Sequence, residues 1–150
     1  MFHNIKMFYS QLQEQPSSGL DPDYQAILDY ATSQSWSLPS STNQTKDNTL
    51  VLALKSAGVW SKLDVFYMFS TDNIDFARIN WVNPGSHTAT LAGTIVPVFT
   101  TNLGFTGNTT NLAHISTNFS PSTNGVNYQY SNASRMFWKG NTTTSGNFDG

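Results

Sequence analysis

The stretch of residues 81–130 constrains the fold most, because it alternates short β-prone runs with turn residues and contains no Asp, Glu, Lys or Arg. A Gly, Asn or Pro separates the runs at roughly the spacing that is typical of a β-sandwich or barrel. Pro97 lies inside one run, which indicates a strand start or an edge position. The predicted strands in and around this stretch are residues 77–82, 87–91, 95–100, 113–116, 126–130 and 134–138.

Composition supports a folded chain with an uncharged surface. Charged residues make up 11% of the chain and aromatic residues 13%, whereas about 25% of an average soluble domain is charged. Disordered chains combine high charge with few aromatics, so this composition predicts a folded protein. A surface rich in Asn, Ser and Thr is common on extracellular and virion β-proteins.

The same composition excludes several kinds of partner and site. The net charge is −2 and the seven Lys and Arg residues are scattered, so we expect no nucleic-acid partner. The chain has no Cys, which excludes disulfides, thiol nucleophiles and Cys-bound metals. No run of 18 apolar residues occurs, so we expect no membrane-spanning segment.

Residues 20–70 are predicted to form a helical segment. Asp21 suits the N-cap of a helix and Pro22 suits its first position, which predicts a helix over residues 22–34. The spacing of four apolar side chains places them on one face of this helix, and they are Tyr24, Ile27, Leu28 and Ala31.

A second helix is expected to follow and to pack against the first as an antiparallel pair. Its end is predicted at Gly58, which suits the left-handed position after a helix. The next residues fit a third helix or a buried strand, and we expect a helix to about Asp64 followed by a strand over residues 65–69. The cap of the second helix is predicted at Ser40, Ser41 or Thr42.

Residues 1–19 are interpreted as an N-terminal arm that ends in a linker. Its apolar side chains recur at helical spacing, which predicts a short amphipathic helix. Such a short stripe is not stable alone in water, so it docks on its own domain or on a neighbouring subunit or partner, or else stays disordered. The residues that we expect to bind a partner are Phe2, Ile5, Phe8 and Leu12.

The remaining residues, 71–150, are predicted to form the β-sandwich. The expected fold class is therefore α+β, with a short helical segment followed by an antiparallel, jelly-roll-like sandwich. Because we count only six or seven strands, some of them weak, the sandwich looks incomplete. It either continues beyond Gly150 or is completed by another chain.

Three sequence segments carry a resemblance to a known group of proteins. LDPDYQAILD at residues 20–29, AGVWSKLD at residues 57–64 and NWVNPG at residues 80–85 resemble a module in virion proteins of phages that infect Bacteroidetes, the crAss-like phages among them. FTTNLGFTGNTTNLAHISTNFSPSTNG at residues 99–125 is similar to the continuation of that module and to the opening strands of concanavalin-like or laminin-G-like jelly rolls.

The resemblance implies a structural protein of the virion, assembled in the host cytoplasm as a homotrimer. A head fibre, a tail fibre or a capsid decoration protein would all fit, and its partners would be other capsid or tail proteins. None of the matching motifs is catalytic. The alternative is a lectin-like, carbohydrate-binding module that attaches to a glycan on the host surface.

The residues that could carry chemistry do not form a catalytic or metal-binding set. The three His residues are not spaced as metal ligands, and no Asp or Glu lies between Phe76 and Phe148. A glycosidase needs two facing carboxyl groups, so a hydrolase is the weakest hypothesis. Asp72 and Asp75 lie in a loop whose oxygens suit Ca²⁺, but the same residues are ordinary formers of Asx turns.

We therefore predict no enzyme activity, no cofactor, no catalytic residue and no metal site. Trp60 and Trp81 lie among apolar neighbours and are expected in the core. Tyr128 and Tyr130 share one face of a predicted strand, where they either stack on a glycan or pack internally. The glycines of residues 104–108 are interpreted as part of a turn, because the segment is not a strand that opens into a helix.

Overall fold

A computed structural model describes residues 19–107, 112–129, 131 and 133–136. It is α+β, as the sequence predicts, with three helices and two separate antiparallel sheets of two strands each, and no complete sandwich is present in the described part. The elements in chain order are α1 (Pro22–Ser33), α2 (Ser41–Ser56), 3-10 helices at Trp60–Lys62 and Phe76–Arg78, β1 (Thr90–Ala92), β2 (Val98–Thr100), β3 (Gly104–Thr106), β4 (His114–Ser116) and α3 (Pro121–Asn124).

Local signals define α1, and the predicted helix is confirmed. The Asp21 carboxylate accepts a hydrogen bond of 2.9 Å from the Asp23 backbone N–H, and Pro22 occupies the first turn. These contacts satisfy backbone groups that a helix start leaves free. The four apolar side chains predicted on one face are all buried: Tyr24, Ile27, Leu28 and Ala31.

The predicted second helix is also confirmed as α2. Ser40 is its N-cap and accepts a hydrogen bond of 3.4 Å from the Asn43 N–H, while the Ser40 N–H donates to the Asp72 carboxylate. After the last turn, Gly58 has a φ of +66°, which is the predicted left-handed position. The two helices are joined by Lys55, whose ammonium lies 2.5 Å from Asp21 Oδ1.

The strands predicted at residues 65–69 and 77–82 are wrong. The first segment is irregular, and the second begins within the 3-10 helix Phe76–Arg78. The Asn80 carboxamide is fully buried, and its oxygen accepts from the N–H groups of Phe66 (3.1 Å) and Val82 (3.2 Å). The Trp81 N–H also donates to the Phe66 carbonyl at 2.8 Å. The two segments therefore lie alongside each other, but this single backbone bond is not a strand ladder.

The core is centred on Trp81, which is fully buried. Its ring centroid lies 5.7 Å from that of Tyr24, 5.6 Å from that of Phe66 and 6.2 Å from that of Phe76. Trp60 is also buried in this cluster, so both tryptophans that the sequence assigns to the core lie there. Aromatic packing therefore joins α1 to the irregular segments that follow α2.

Each of the two sheets is a pair of short strands. Leu91 in β1 lies opposite Ile115 in β4, and Phe99 in β2 lies opposite Phe105 in β3. β1, β2 and β4 overlap the predicted strands at residues 87–91, 95–100 and 113–116, and Pro97 directly precedes β2, as a strand-start position predicts.

Three further segments differ from the sequence predictions. Residues 104–106, interpreted from the sequence as part of a turn, form β3, because the Phe105 ring packs between those of Phe69 and Phe99. The described residues 126–129 and 134–136 form no strand. The first of these segments is held instead by hydrogen bonds to Asp64.

Candidate functional site

The predicted binding residues lie mostly outside the described part of the chain. Phe2, Ile5, Phe8, Leu12 and Tyr130 are all outside it, and no geometry tests them. Of the predicted glycan-stacking pair only Tyr128 is described; its side chain is 40% exposed, and its backbone N–H donates to the carboxylate of Asp64 at 2.8 Å.

Asp64 is a backbone clamp for the segment that contains Tyr128. Its carboxylate accepts from the N–H groups of Val126 (3.2 Å), Asn127 (2.9 Å) and Tyr128. Burial acts to raise the pKa of Asp64, but these hydrogen bonds outweigh it and hold the pKa below its usual value. The clamp orders this segment against the end of the first 3-10 helix.

The loop that could have bound Ca²⁺ uses its oxygens for internal contacts. Asp72 accepts from the start of α2, the Asn73 carboxamide bonds Ser37 and Phe76, and Asp75 pairs with Arg78. Within the ranges that the structure describes, His, Asp and Glu residues nowhere gather in a group of three that could hold a metal ion. These contacts correspond to the ordinary turn-forming role of Asp and Asn.

A polar pocket lies among the described residues. It has a volume of about 400 Å³ and lies between α2, the turn at residues 70–71 and the loop between β2 and β3. α2 contributes three residues at spacings of three and four, which place them on one helix face. The lining residues are Asn43, Lys46, Asp47, Ser70, Thr71 and Asn102.

Hydrogen bonds hold the walls of the polar pocket together. The Asn43 amide donates to Asp72 Oδ1 at 2.5 Å and to Asn102 Oδ1 at 3.1 Å. The Ser70 hydroxyl donates to the Asn102 carbonyl at 2.5 Å, and the Asn102 N–H donates to the Thr71 carbonyl at 2.8 Å. The pocket is therefore fixed by contacts among three chain segments.

Asp47 is the electrostatically unusual group in the polar pocket. Burial raises its pKa to about 6; the negative charge of Asp72 adds to the increase, whereas a hydrogen bond from the Tyr24 hydroxyl and the charge of Lys46 act against it. The Tyr24 hydroxyl lies 3.2 Å from Asp47 Oδ2. Burial and the Asp47 carboxylate in turn raise the pKa of Tyr24 well above its usual value.

The pocket presents amide, hydroxyl, carboxyl and ammonium groups side by side. Such a set can exchange hydrogen bonds with a ligand that carries several hydroxyl groups, because it contains both donors and acceptors. Sequence analysis did not identify this site. Asn43, Lys46 and Asp47 form a polar helix face, which usually means contact with solvent, and Ser70 and Asn102 are far away along the chain.

A second surface stands out because it is apolar. Residues 95–98 and the loop residue Leu103 form what we call the open edge: Ile95 is 51% exposed, Val98 63% and Leu103 80%, and Val96 is also exposed. Single exposed apolar residues are normal, whereas a group of them close together in the chain, as at residues 95–98, is typical of an interaction surface. Leu103 lies at the other end of β2, in the turn before β3.

Comparison of the chain with protein-family models, with curated proteins and with solved structures gives no match. Of the helices described, none has the length and apolar character needed to cross a bilayer. The features that bear on function are therefore the polar pocket, the open edge and the sequence resemblance.

Proposed function

We propose that the protein is a non-enzymatic structural component of a phage virion, a head fibre or another fibre or decoration protein. Residues 1–19 would anchor it to the particle through Phe2, Ile5, Phe8 and Leu12. It would assemble as a homotrimer, contact other capsid or tail proteins and be located in the virion after assembly in the host cytoplasm. The resemblance at residues 20–29, 57–64 and 80–85 supports this assignment.

The observation that carries the proposal is the combination of an open apolar edge with a charge-free surface. No Asp, Glu, Lys or Arg occurs from residue 79 to residue 134, and neither sheet in the described part has a third strand. Proteins that function alone usually protect sheet edges with charges or coverings. β2 is short and follows Pro97, which limits pairing at this edge. The edge nevertheless lacks charges, and a charge-free edge suits a chain whose surface becomes buried in an assembly.

We assign the two small sheets to a larger sandwich in the assembled protein. Residues 71–150 would supply the sandwich portion, and the strand register of β1 with β4 and of β2 with β3 provides two antiparallel pairs for it. The structural use of Asp21, Asp64 and Asp72 supports a role without catalysis, since these carboxylates are engaged in caps, an ion pair and the backbone clamp.

Deletion of residues 2–12 tests the anchoring role. Particles purified from infected cells should lack the truncated protein, as measured by quantitative mass spectrometry, while its far-UV circular dichroism matches that of the wild type. A finer variant replaces the four apolar arm residues with Ser, and a matched control replaces Asn4, Gln11 and Gln13 with Ser. Normal incorporation of the four-residue variant would contradict the anchoring role.

The polar pocket favours a second candidate function, carbohydrate binding. Its mixture of donors and acceptors around Asp47 suits sugar hydroxyl groups, and the half-exposed Tyr128 is a separate candidate for stacking. A glycan array probed with the purified protein tests this function. Any glycan that binds in the pocket should lose affinity with Lys46→Ala but not with Asp29→Asn on the exposed face of α1. An array without hits would remove this alternative.

A further inference from the structure

The open edge has backbone groups that the described part of the chain does not satisfy. A strand in an antiparallel pair directs every second N–H and C=O away from its partner. β2 pairs with β3 and with no other described strand. Residues 94–99 make no hydrogen bond to any other described residue outside that pair. An extended strand is the kind of structure that can satisfy such an edge.

The side chains around these backbone groups are apolar and suited to strand pairing. Ile95, Val96 and Val98 are β-branched and at least 46% exposed, and Leu103 projects from the adjacent loop. β-branched side chains on facing strands stabilise each other by about 0.2–1 kcal/mol per pair. Burial of the same side chains removes apolar surface from water.

The charge distribution indicates which strand would pair there. Because residues 79–134 carry no Asp, Glu, Lys or Arg, two copies of this surface can approach without like-charge repulsion. A partner that is recognised through charge would find no opposite charge in this region. The edge is also chemically complementary to itself: β2 offers N–H and C=O groups, residues 95–96 precede it in irregular chain, and only Pro97 lacks an N–H.

We propose that the open edge, residues 95–98 with Leu103, is a self-association surface that takes the same edge of a second copy of this chain. The two β2 strands would extend the sheet from one copy into the next, with Ile95, Val96, Val98 and Leu103 buried at the contact. Because the same edge of both copies takes part, this is a two-fold contact. It goes beyond the proposed function, whose homotrimer would need a further surface.

Light scattering coupled to size exclusion tests the surface on the whole chain. The wild type should have a mass that is a multiple of 16.6 kDa and that falls on dilution. Ile95→Lys and Val98→Lys should halve the mass of the wild type, because each places charges of the same sign on both sides of the contact. Leu52→Lys is the matched control: Leu52 lies on α2 and is 49% exposed, close to the 51% of Ile95, and this variant should keep the wild-type mass.

A wild-type mass of one chain or of three chains at about 100 µM would overturn the proposal, because no two-fold contact would then form at that concentration. An unchanged mass for Ile95→Lys, or an equal loss of association for Leu52→Lys, would also overturn it. If the Lys variants do not fold, hydrogen exchange of the wild type decides the question: the amides of Ile95, Val96 and Val98 should exchange more slowly as concentration rises, and a concentration-independent rate would contradict pairing.

These outcomes are separate from those for the virion assignment. If the protein self-associates through the open edge but is absent from purified particles, the self-association surface is supported and the proposed virion function is contradicted. If the protein is incorporated into particles but is monomeric in solution, the proposed virion function is supported and the self-association surface is contradicted.

Discussion

Asp47 illustrates how a single residue can lower stability at a site suited to binding. Burial of its carboxyl and the negative charge of Asp72 raise its pKa from 3.8 to about 6, although the hydrogen bond from the Tyr24 hydroxyl acts to lower it. The folded protein therefore binds a proton here more tightly than the unfolded chain does. The resulting stability is fully present below pH 3.8 and is lost as the pH rises through about 6.

Asp47→Asn should remove this pH dependence. Between pH 4 and 7 the free energy of unfolding of the wild type should fall by about 1 kcal/mol more than that of the variant, after allowance for the solvent exposure of the carboxyl. The amide keeps an acceptor for the Tyr24 hydroxyl but carries no charge. Urea unfolding at several pH values measures the effect, with Asp29→Asn as the control. Parallel pH profiles for wild type and Asp47→Asn would show that Asp47 is not the group responsible.

At the scale of elements, the turn at residues 83–86 packs against α1. Ser86 donates its N–H to the Asn83 carbonyl at 3.0 Å, and Gly85 has a φ of +89°. A Cβ on Gly85 would lie 3.1 Å from Cε2 of Tyr30, whereas a Cβ on Gly58 would meet nothing within 4 Å. Two glycines in left-handed conformations therefore differ in the space around them.

Gly85→Ala and Gly58→Ala separate backbone strain from steric contact. Gly58→Ala should lower the free energy of unfolding by about 1–2 kcal/mol, because only the left-handed backbone conformation disfavours the Ala side chain. Gly85→Ala should lower the free energy of unfolding by about 2–4 kcal/mol, because the Tyr30 ring must also move to make room for the added methyl group. Thermal and denaturant unfolding measure both values. Equal losses of unfolding free energy in the two variants would mean that moving the Tyr30 ring requires no measurable free energy.

At the scale of the whole molecule, one aromatic core connects the helices to the irregular segments. Trp81 contacts rings from α1, from the segment after the first 3-10 helix and from the second 3-10 helix. The smaller cluster of Tyr67, Phe69, Phe99 and Phe105 then joins β2 and β3 to this body.

Trp81→Ala should lower the free energy of unfolding by about 3–5 kcal/mol, because it leaves a large cavity in the shared core. Trp36→Ala is the control, since Trp36 is half-buried, packs at the margin of the core and contacts the Tyr30 ring and the Arg78 guanidinium. Its free energy of unfolding should fall by only about 1–2 kcal/mol. Denaturant unfolding followed by circular dichroism measures both. A loss for Trp81→Ala no larger than that for Trp36→Ala would contradict a core centred on Trp81.

The sequence by itself determined the two long helices, the buried face of α1 and the place of Trp60 and Trp81 in the core. Asp21, Pro22, Ser40 and Gly58 act within a few residues of themselves, so their roles are visible without knowledge of distant contacts. The same holds for Pro97 at the start of β2.

Only the tertiary structure decided the rest. Residues 65–69 have the composition of a strand, but the Phe66 N–H is bonded by the Asn80 side chain, and the Phe66 carbonyl by the Trp81 N–H, from 14 and 15 residues away. Residues 104–106 resemble a turn, but they form β3 because the Phe105 ring packs on Phe69. The polar pocket combines α2 with Ser70 and Asn102. Each of these outcomes depends on contacts between residues far apart in the chain, and such contacts leave no periodic signal in the sequence.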